Sequence, residues 1–194
     1  MIEILNLRPC DGGDGVKVVC MCDGVKNTYT VSSEFYFENS IQKGVFDDEV
    51  AELIAEEDRF YNAIRTSIRL LASAQCSAKK LYEKLRLRNF SHECAKNACD
   101  FVKEKGYIDE EWQIESYLKT LILKKHVGRR KLIPMLVSKG YSADAVCRVL
   151  DKNYSDSDFA QARLEFLAEK FGKTKPETYE EAAEMKKALY KQGF

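Results

Sequence analysis

The 194-residue sequence predicts a mainly α protein, in which tandem three-helix repeats form an elongated, curved array behind a small N-terminal β element. Three observations carry this expectation. A pattern recurs about every fifty residues. No Gly or Pro interrupts residues 45–105. The spacing of apolar residues changes from two to about 3.6 near Asp47.

The recurring pattern is Leu-x3-Leu-x4-aromatic-Ser. Leu81, Leu85, Phe90 and Ser91 form its first copy, and Leu132, Leu136, Tyr141 and Ser142 its second. Met185, Leu189, Gly193 and Phe194 fall in the same places at the end of the chain, with offsets of 51 (81 to 132) and 53 (141 to 194). A period of this size marks a helical array whose units bury their apolar faces against their neighbours. Such arrays serve more often as binding surfaces than as catalytic pockets.

Residues 1–45 form the β element. Ile2 to Leu7 alternates with polar residues, Val16 to Cys22 is β-branched and apolar, and Asn27 to Ser32 reads as a third short strand. Pro9, the run Asp11-Gly12-Gly13-Asp14-Gly15 and the pair Asp23-Gly24 supply the turns.

The first repeat, 46–106, reads as helices over 47–73, 78–88 and 92–105, with Ser77 and Ser91 as N-caps of the second and third. The second, 107–154, reads as 110–125, 129–139 and 143–153. Asp109 caps its first helix, and Gly106 ends the helix before it. The third, 155–194, starts near Asp156 and lacks its last helix. A capping box is expected at Thr178 and Glu181. Pro134 conflicts with the helix around it, where an interior proline costs about 3 kcal/mol, so a distortion is expected there. Leu81, Leu85, Leu132, Leu136, Phe90, Tyr141, Tyr107 and Trp112 are expected to be packing residues, and Glu56-Glu57 to lie on a solvated helix face.

The net charge of zero conceals an asymmetry. Residues 1–60 hold five Lys/Arg against 13 Asp/Glu, and residues 61–194 hold 26 against 18. An acidic front and a basic body point to an anionic partner for the body. The densest basic run contains Lys124, Lys125, Arg129, Arg130 and Lys131 at a helix–turn–helix junction. Its counterpart in the first repeat is Lys79, Lys80, Lys84, Arg86 and Arg88. These ten residues are the candidate contacts for nucleic acid or for an acidic protein groove.

Catalytic signals are weak. His92 and His126, the only histidines, lie in no metalloprotease pattern and beside no nucleophile. Cys10, Cys20 and Cys22 lack a fourth zinc ligand, and the run from Asp11 to Gly15 has no following Lys-Ser/Thr to make a phosphate loop. The expectation is a non-enzyme with no cofactor and no metal. Seven cysteines in no disulfide framework, no basic-then-apolar leader and no run of about 18 apolar residues point to a cytoplasmic protein without a membrane partner.

The chain resembles the RecX family of bacterial regulators of the RecA recombinase. The carrying residues are Ile68-Arg69-Leu70-Leu71-Ala72, Ser77, Lys80-Leu81 and Lys84-Leu85, then Gly106-Tyr107-Ile108-Asp109-Glu110. Gly128-Arg129-Arg130-Lys131-Leu132, Leu136 and Lys139-Gly140-Tyr141 continue the pattern. The match covers about residues 60–194, and its specificity lies in the combination of motifs. Asn89-Phe90 departs from the more usual Gly-aromatic pair, Asp109-Glu110 stands where Asp-Asp is common, and Pro134 is unusual in its helix. The resemblance implies a non-catalytic, monomeric regulator that binds the RecA filament on single-stranded DNA and dampens its ATPase, strand-exchange and co-protease activities. Single- or double-stranded DNA is a further expected partner. Two other readings stay open: a stand-alone nucleic-acid-binding module, and a general protein-interaction scaffold.

Overall fold

The computed structural model describes residues 1–10, 12–22 and 24–194, so the turn expectations at Asp11 and Asp23 lie outside the described residues. The chain divides into two units, Met1–Ala74 with Leu81–Tyr107, and Gln75–Lys80 with Ile108–Phe194. It is mainly α with a small N-terminal β element.

In the first unit β1 (Ile2–Pro9), β2 (Gly15–Cys22), β3 (Val25–Ser32) and β4 (Gly44–Phe46) form one antiparallel sheet in the order β3-β2-β1-β4. Strand alternation buries Ile2, Ile4, Val18, Cys20 and Val31 on one face, together with Ile41 and with Ile54 of α2 (Asp48–Ser73). The short helix α1 (Ser33–Glu38) and β4 were not expected from the sequence, and β4 runs past residue 45. Six and three residues are too few for a periodic signal.

The outer edge of β3 would expose unpaired N–H groups, and α2 closes it. Asp58 Oδ1 accepts from the Thr30 N–H (2.6 Å), and Glu57 Oε1 accepts from the Ser32 N–H (3.1 Å) and hydroxyl (2.6 Å). Glu57 is therefore half-buried and engaged, a correction to the expected solvated face. The cause is the tertiary approach of β3, which helical periodicity does not report. α3 (Ala78–Arg86) follows α2, and α4 (His92–Glu104) packs on α2, with Phe101 edge-on to Phe60 at 6.2 Å.

The second unit contains α5 (Glu110–Leu123), α6 (Arg129–Ser138), α7 (Ala143–Asn153), α8 (Asp156–Phe171) and α9 (Tyr179–Gln192). Ile114, Leu118, Ile122, Leu132, Leu136 and Leu150 share one core with Phe159 of α8, and Leu167, Met185 and Leu189 form another. Leu81, Leu85, Leu132 and Leu136 are fully buried. Each is worth about 1.5–3 kcal/mol relative to exposure.

The expected caps form. Ser91, Asp109, Ser142 and Thr178 accept from the N–H groups of Cys94, Trp112, Ala145 and Glu181. The capping box is only half made at α9, because Glu181 Oε2 accepts from the Glu177 N–H rather than from Thr178. At α8, by contrast, the Ser155 N–H donates to Asp158 Oδ2 at 2.7 Å. α6 runs continuously through Pro134, which leaves the Arg130 carbonyl without its helical donor.

The repeated Leu-x4-aromatic spacing has a backbone cause. The N–H groups of Phe90, Tyr141 and Phe194 donate to the carbonyls of Leu85, Leu136 and Leu189, at 3.3, 3.3 and 3.0 Å. The residue before each aromatic is left-handed: Asn89 (φ 65°), Gly140 (φ 96°) and Gly193 (φ 97°). This is the six-to-one closure of a helix C-terminus, made at the end of each of these three helices.

Candidate partner-binding surface

In the second unit, the C-terminal end of one repeat's second helix meets the N-terminal end of its predecessor's. At the first such join Ser77 Oγ donates to the Lys139 carbonyl (3.0 Å) and accepts from the Lys80 N–H (3.3 Å). A Cβ on Gly140 would lie 2.4 Å from that hydroxyl oxygen. At the second join Gly128 occupies the place of Ser77, and the chains approach more closely. The Gly128 N–H donates to the Gln192 carbonyl (2.9 Å), and the Arg130 N–H to that of Gly193 (3.2 Å). Carbonyls at a helix C-terminus thus satisfy orphan N–H groups at a helix N-terminus, with opposite dipole ends in contact.

The second join also consumes much of the basic run. Arg129 pairs with Asp151 and lies 6.0 Å from the Phe159 ring. Arg130 Nη2 donates to the Phe194 carbonyl (2.7 Å), and its guanidinium stands 4.8 Å from the Tyr190 ring. Lys131 Nζ donates to the Lys191 carbonyl at 3.1 Å. These three side chains are engaged within the chain. Lys124 and Lys125 are exposed, although the Lys125 carbonyl accepts from Gln192 Nε2 at 2.6 Å. Between the two groups His126, at φ 46°, sets Nδ1 3.3 Å from Glu165 Oε2 and Nε2 3.5 Å from Glu169 Oε2.

The first-repeat cations are placed differently. Lys79 and Lys80 flank the first join, where a Cβ on Gly140 would touch the Lys80 Cγ at 3.1 Å and the Lys79 Cβ at 3.5 Å. Lys84 is half-buried. Arg86 and Arg88 are exposed at the end of α3, with Nη1 groups on the carbonyls of Phe90 (2.5 Å) and Lys84 (3.0 Å).

Two aromatics expected in the core are on the surface. Trp112 and Tyr107 are each 53% exposed. At 100° per residue Trp112 stands about 160° from Ile114, on the face of Ser116, Lys119 and Leu123. That angle was available from the sequence. Tyr141 is buried as expected, and its hydroxyl donates to buried Gln113 Oε1 at 2.8 Å. Burial pushes the Tyr141 phenol well above its ordinary range, and the neighbouring Tyr117 and Glu110 add to the shift.

Among the described residues, no group of three or more His, Cys, Asp or Glu is placed to hold a metal ion. Among the described residues, no helix is long and apolar enough to cross a membrane.

No family model matches the sequence. Curated relatives do. The chain is 27% identical over 150 residues to the regulatory protein RecX of Clostridium perfringens strain SM101, covering 74% of this chain and 70% of that protein. It is 26% identical over 176 residues to the regulatory protein RecX of Caldanaerobacter subterraneus subsp. tengcongensis, covering 86% and 82%. A crystal structure of a regulatory protein RecX superposes on the whole chain and on 95% of its own, with a TM-score of 0.79 at 16% identity. RecX from Lactobacillus salivarius gives 0.62 at 18% identity, covering 71% and 89%.

Proposed function

We propose that this chain, a member of the RecX family of regulatory proteins, binds the RecA filament on single-stranded DNA and lowers its recombinase, ATPase and co-protease activities in DNA repair. The action is by contact and not by catalysis. The observation that carries the reading is the similarity to proteins named as regulatory, which extends over 86% of the chain in the longer alignments.

In this reading the docking modules are the repeats 46–106, 107–154 and 155–194, and 1–45 is an added element. Lys124, Lys125, Lys79, Arg86 and Arg88 make the outward contacts with acidic filament surface or DNA. Arg130 and Lys131 act indirectly, by holding the third repeat on the second, while Arg129 pairs within the second repeat with Asp151. The chain works as a monomer in the cytoplasm, in keeping with its seven free cysteines.

The test is the single-stranded-DNA-dependent ATPase of the host RecA, titrated with this protein at fixed salt. Inhibition below one protein per RecA is the expected result. No effect on the ATPase, with salt-sensitive DNA binding in the absence of RecA, would replace this reading with a stand-alone nucleic-acid-binding module.

A further inference from the structure

In the first unit α2 and α4 line a groove of about 330 Å³. Leu53, Glu56, Glu57 and Phe60 follow at i, i+3, i+4 and i+7, so they share one face of α2. Glu93, Cys94 and Asn97 come from the first turns of α4, and Phe35 of α1 completes the apolar lining. Leu53 is 49% exposed, although Ile54 beside it is buried in the sheet core. The described lining residues include three carboxylates and one cation, Arg59. Glu57 is already engaged by Ser32. Glu56 and Glu93 are exposed, and among the described residues neither takes part in an ion pair.

The lining selects its occupant by chemistry. Glu56 and Glu93 repel nucleic acid. Among the described residues no group of three or more His, Cys, Asp or Glu is placed to hold a metal ion. A neutral apolar molecule would take water from both carboxylates and give them no partner in return. A small hydrated cation would leave Leu53, Phe35 and Phe60 unused. A chain that is both cationic and apolar satisfies the whole lining. The size agrees, since ligand pockets span about 300–1,000 Å³, and the lower end holds a few side chains and not a folded domain. The surrounding charge agrees as well. Glu49, Glu52 and Glu56 lie at i, i+3 and i+7, so exposed carboxylates run along the same side of α2 as Leu53.

We propose that this groove docks a segment of a partner protein in which basic residues flank an apolar one. The apolar side chain lies against Leu53 and Phe60. The flanking Lys or Arg residues pair with Glu56 on the α2 side and Glu93 on the α4 side, and the opposite charges fix the segment's place. Glu49 and Glu52 take further cations along α2. The Asn97 amide offers hydrogen bonds to the main chain of the segment. The site is distinct from the basic run at 124–131, whose partner must be anionic, and it does not rest on the filament reading.

The experiment is fluorescence anisotropy of a labelled heptapeptide, Gly-Lys-Arg-Leu-Arg-Lys-Gly, titrated with the full chain over a range of salt. Binding should saturate and weaken as salt rises. A peptide with Glu at the four basic positions should not bind, and one with Ser in place of Leu should bind about tenfold more weakly. A Glu56→Gln/Glu93→Gln variant should lose about tenfold in affinity at low salt and most of the salt dependence. Leu53→Ser should lose about tenfold and keep the salt dependence. Circular dichroism of both variants should match the parent. Saturating peptide should slow alkylation of Cys94, read by mass spectrometry, and leave Cys147, half-buried in the second unit, unchanged. The proposal is overturned if the parent chain does not bind the heptapeptide at low salt, or if the Glu or Ser peptide binds as well. It also fails if both variants keep the parent's affinity, or if Cys94 is alkylated at the same rate with peptide bound.

Discussion

Gly128 lies against Gly193 so closely that a Cβ on Gly128 would stand 2.3 Å from the Gly193 carbonyl carbon. The equivalent closeness at the other join is 2.4 Å between a Gly140 Cβ and the Ser77 hydroxyl. Asn89 occupies the same left-handed position at the end of α3, where it is exposed. Glycine is thus needed at Gly140 and Gly193 for space as well as for φ, while Asn89 answers only to φ. Asn at that position therefore serves where the other two helix ends require Gly.

Gly128→Ala should destabilise the chain by about 2 kcal/mol through overpacking alone, because φ at Gly128 is −74°. Gly193→Ala should cost more, combining overpacking with a left-handed penalty of about 1–2 kcal/mol. Gly172→Ala, left-handed in open space, should show the penalty alone. Urea denaturation of the three variants checks the order.

The sheet edge depends on two carboxylates. Asp58→Ala and Glu57→Ala should each cost about 1–3 kcal/mol by leaving the Thr30 or Ser32 N–H without its charged acceptor. Hydrogen exchange should accelerate first at those two amides. Unchanged protection would show that the edge is closed some other way.

The basic run should divide by function. Arg130→Ala and Lys131→Ala should lower the thermal midpoint, because they release carbonyls at the end of α9. Lys124→Ala and Lys125→Ala should leave the midpoint within a degree or so and reduce partner binding. Differential scanning fluorimetry beside the ATPase titration distinguishes the two groups.

Stability of the third repeat should fall in acid. Hydrogen bonds from Ser155 hold the Asp158 carboxyl below its ordinary range, and Lys173 does the same for Glu181. A carboxylate depressed by folding stabilises at neutral pH. That contribution begins to be lost as pH falls through the usual carboxylate range, and is gone below the folded value. Asp158→Asn and Glu181→Gln should each flatten the pH dependence of thermal unfolding in that window.

Tyr141→Phe should cost about 1–3 kcal/mol, since it strands the buried Gln113 Oε1. A Tyr141→Phe/Gln113→Leu double variant should recover part of that loss. Additive losses in a double-mutant cycle would show that the two groups do not interact.

The helices, their caps and the repeat were legible because each has a local cause. Ser91, Asp109 and Ser142 cap as their positions before apolar-periodic segments require. The expected limits 47–73 and 143–153 differ from Asp48–Ser73 and Ala143–Asn153 by a residue at most, while 78–88 and 110–125 overran by two. Trp112 was misplaced because its hydrophobicity was counted without its angle.

Local sequence thus decided where helices begin and end, which leucines enter the core and where the chain turns left-handed. Those outcomes follow from side-chain period, capping chemistry and φ, all set within a few residues. Tertiary structure alone decided that Glu57 and Asp58 close a sheet edge, that Arg129 pairs with Asp151, and that Arg130 and Lys131 are spent on the third repeat. It also brought Glu56 of α2 and Glu93 of α4 to one groove. A count of charges along the chain cannot distinguish a cation that meets solvent from one that meets a carbonyl sixty residues away. The acceptor is main chain, the same in every residue, and only folding brings it within reach.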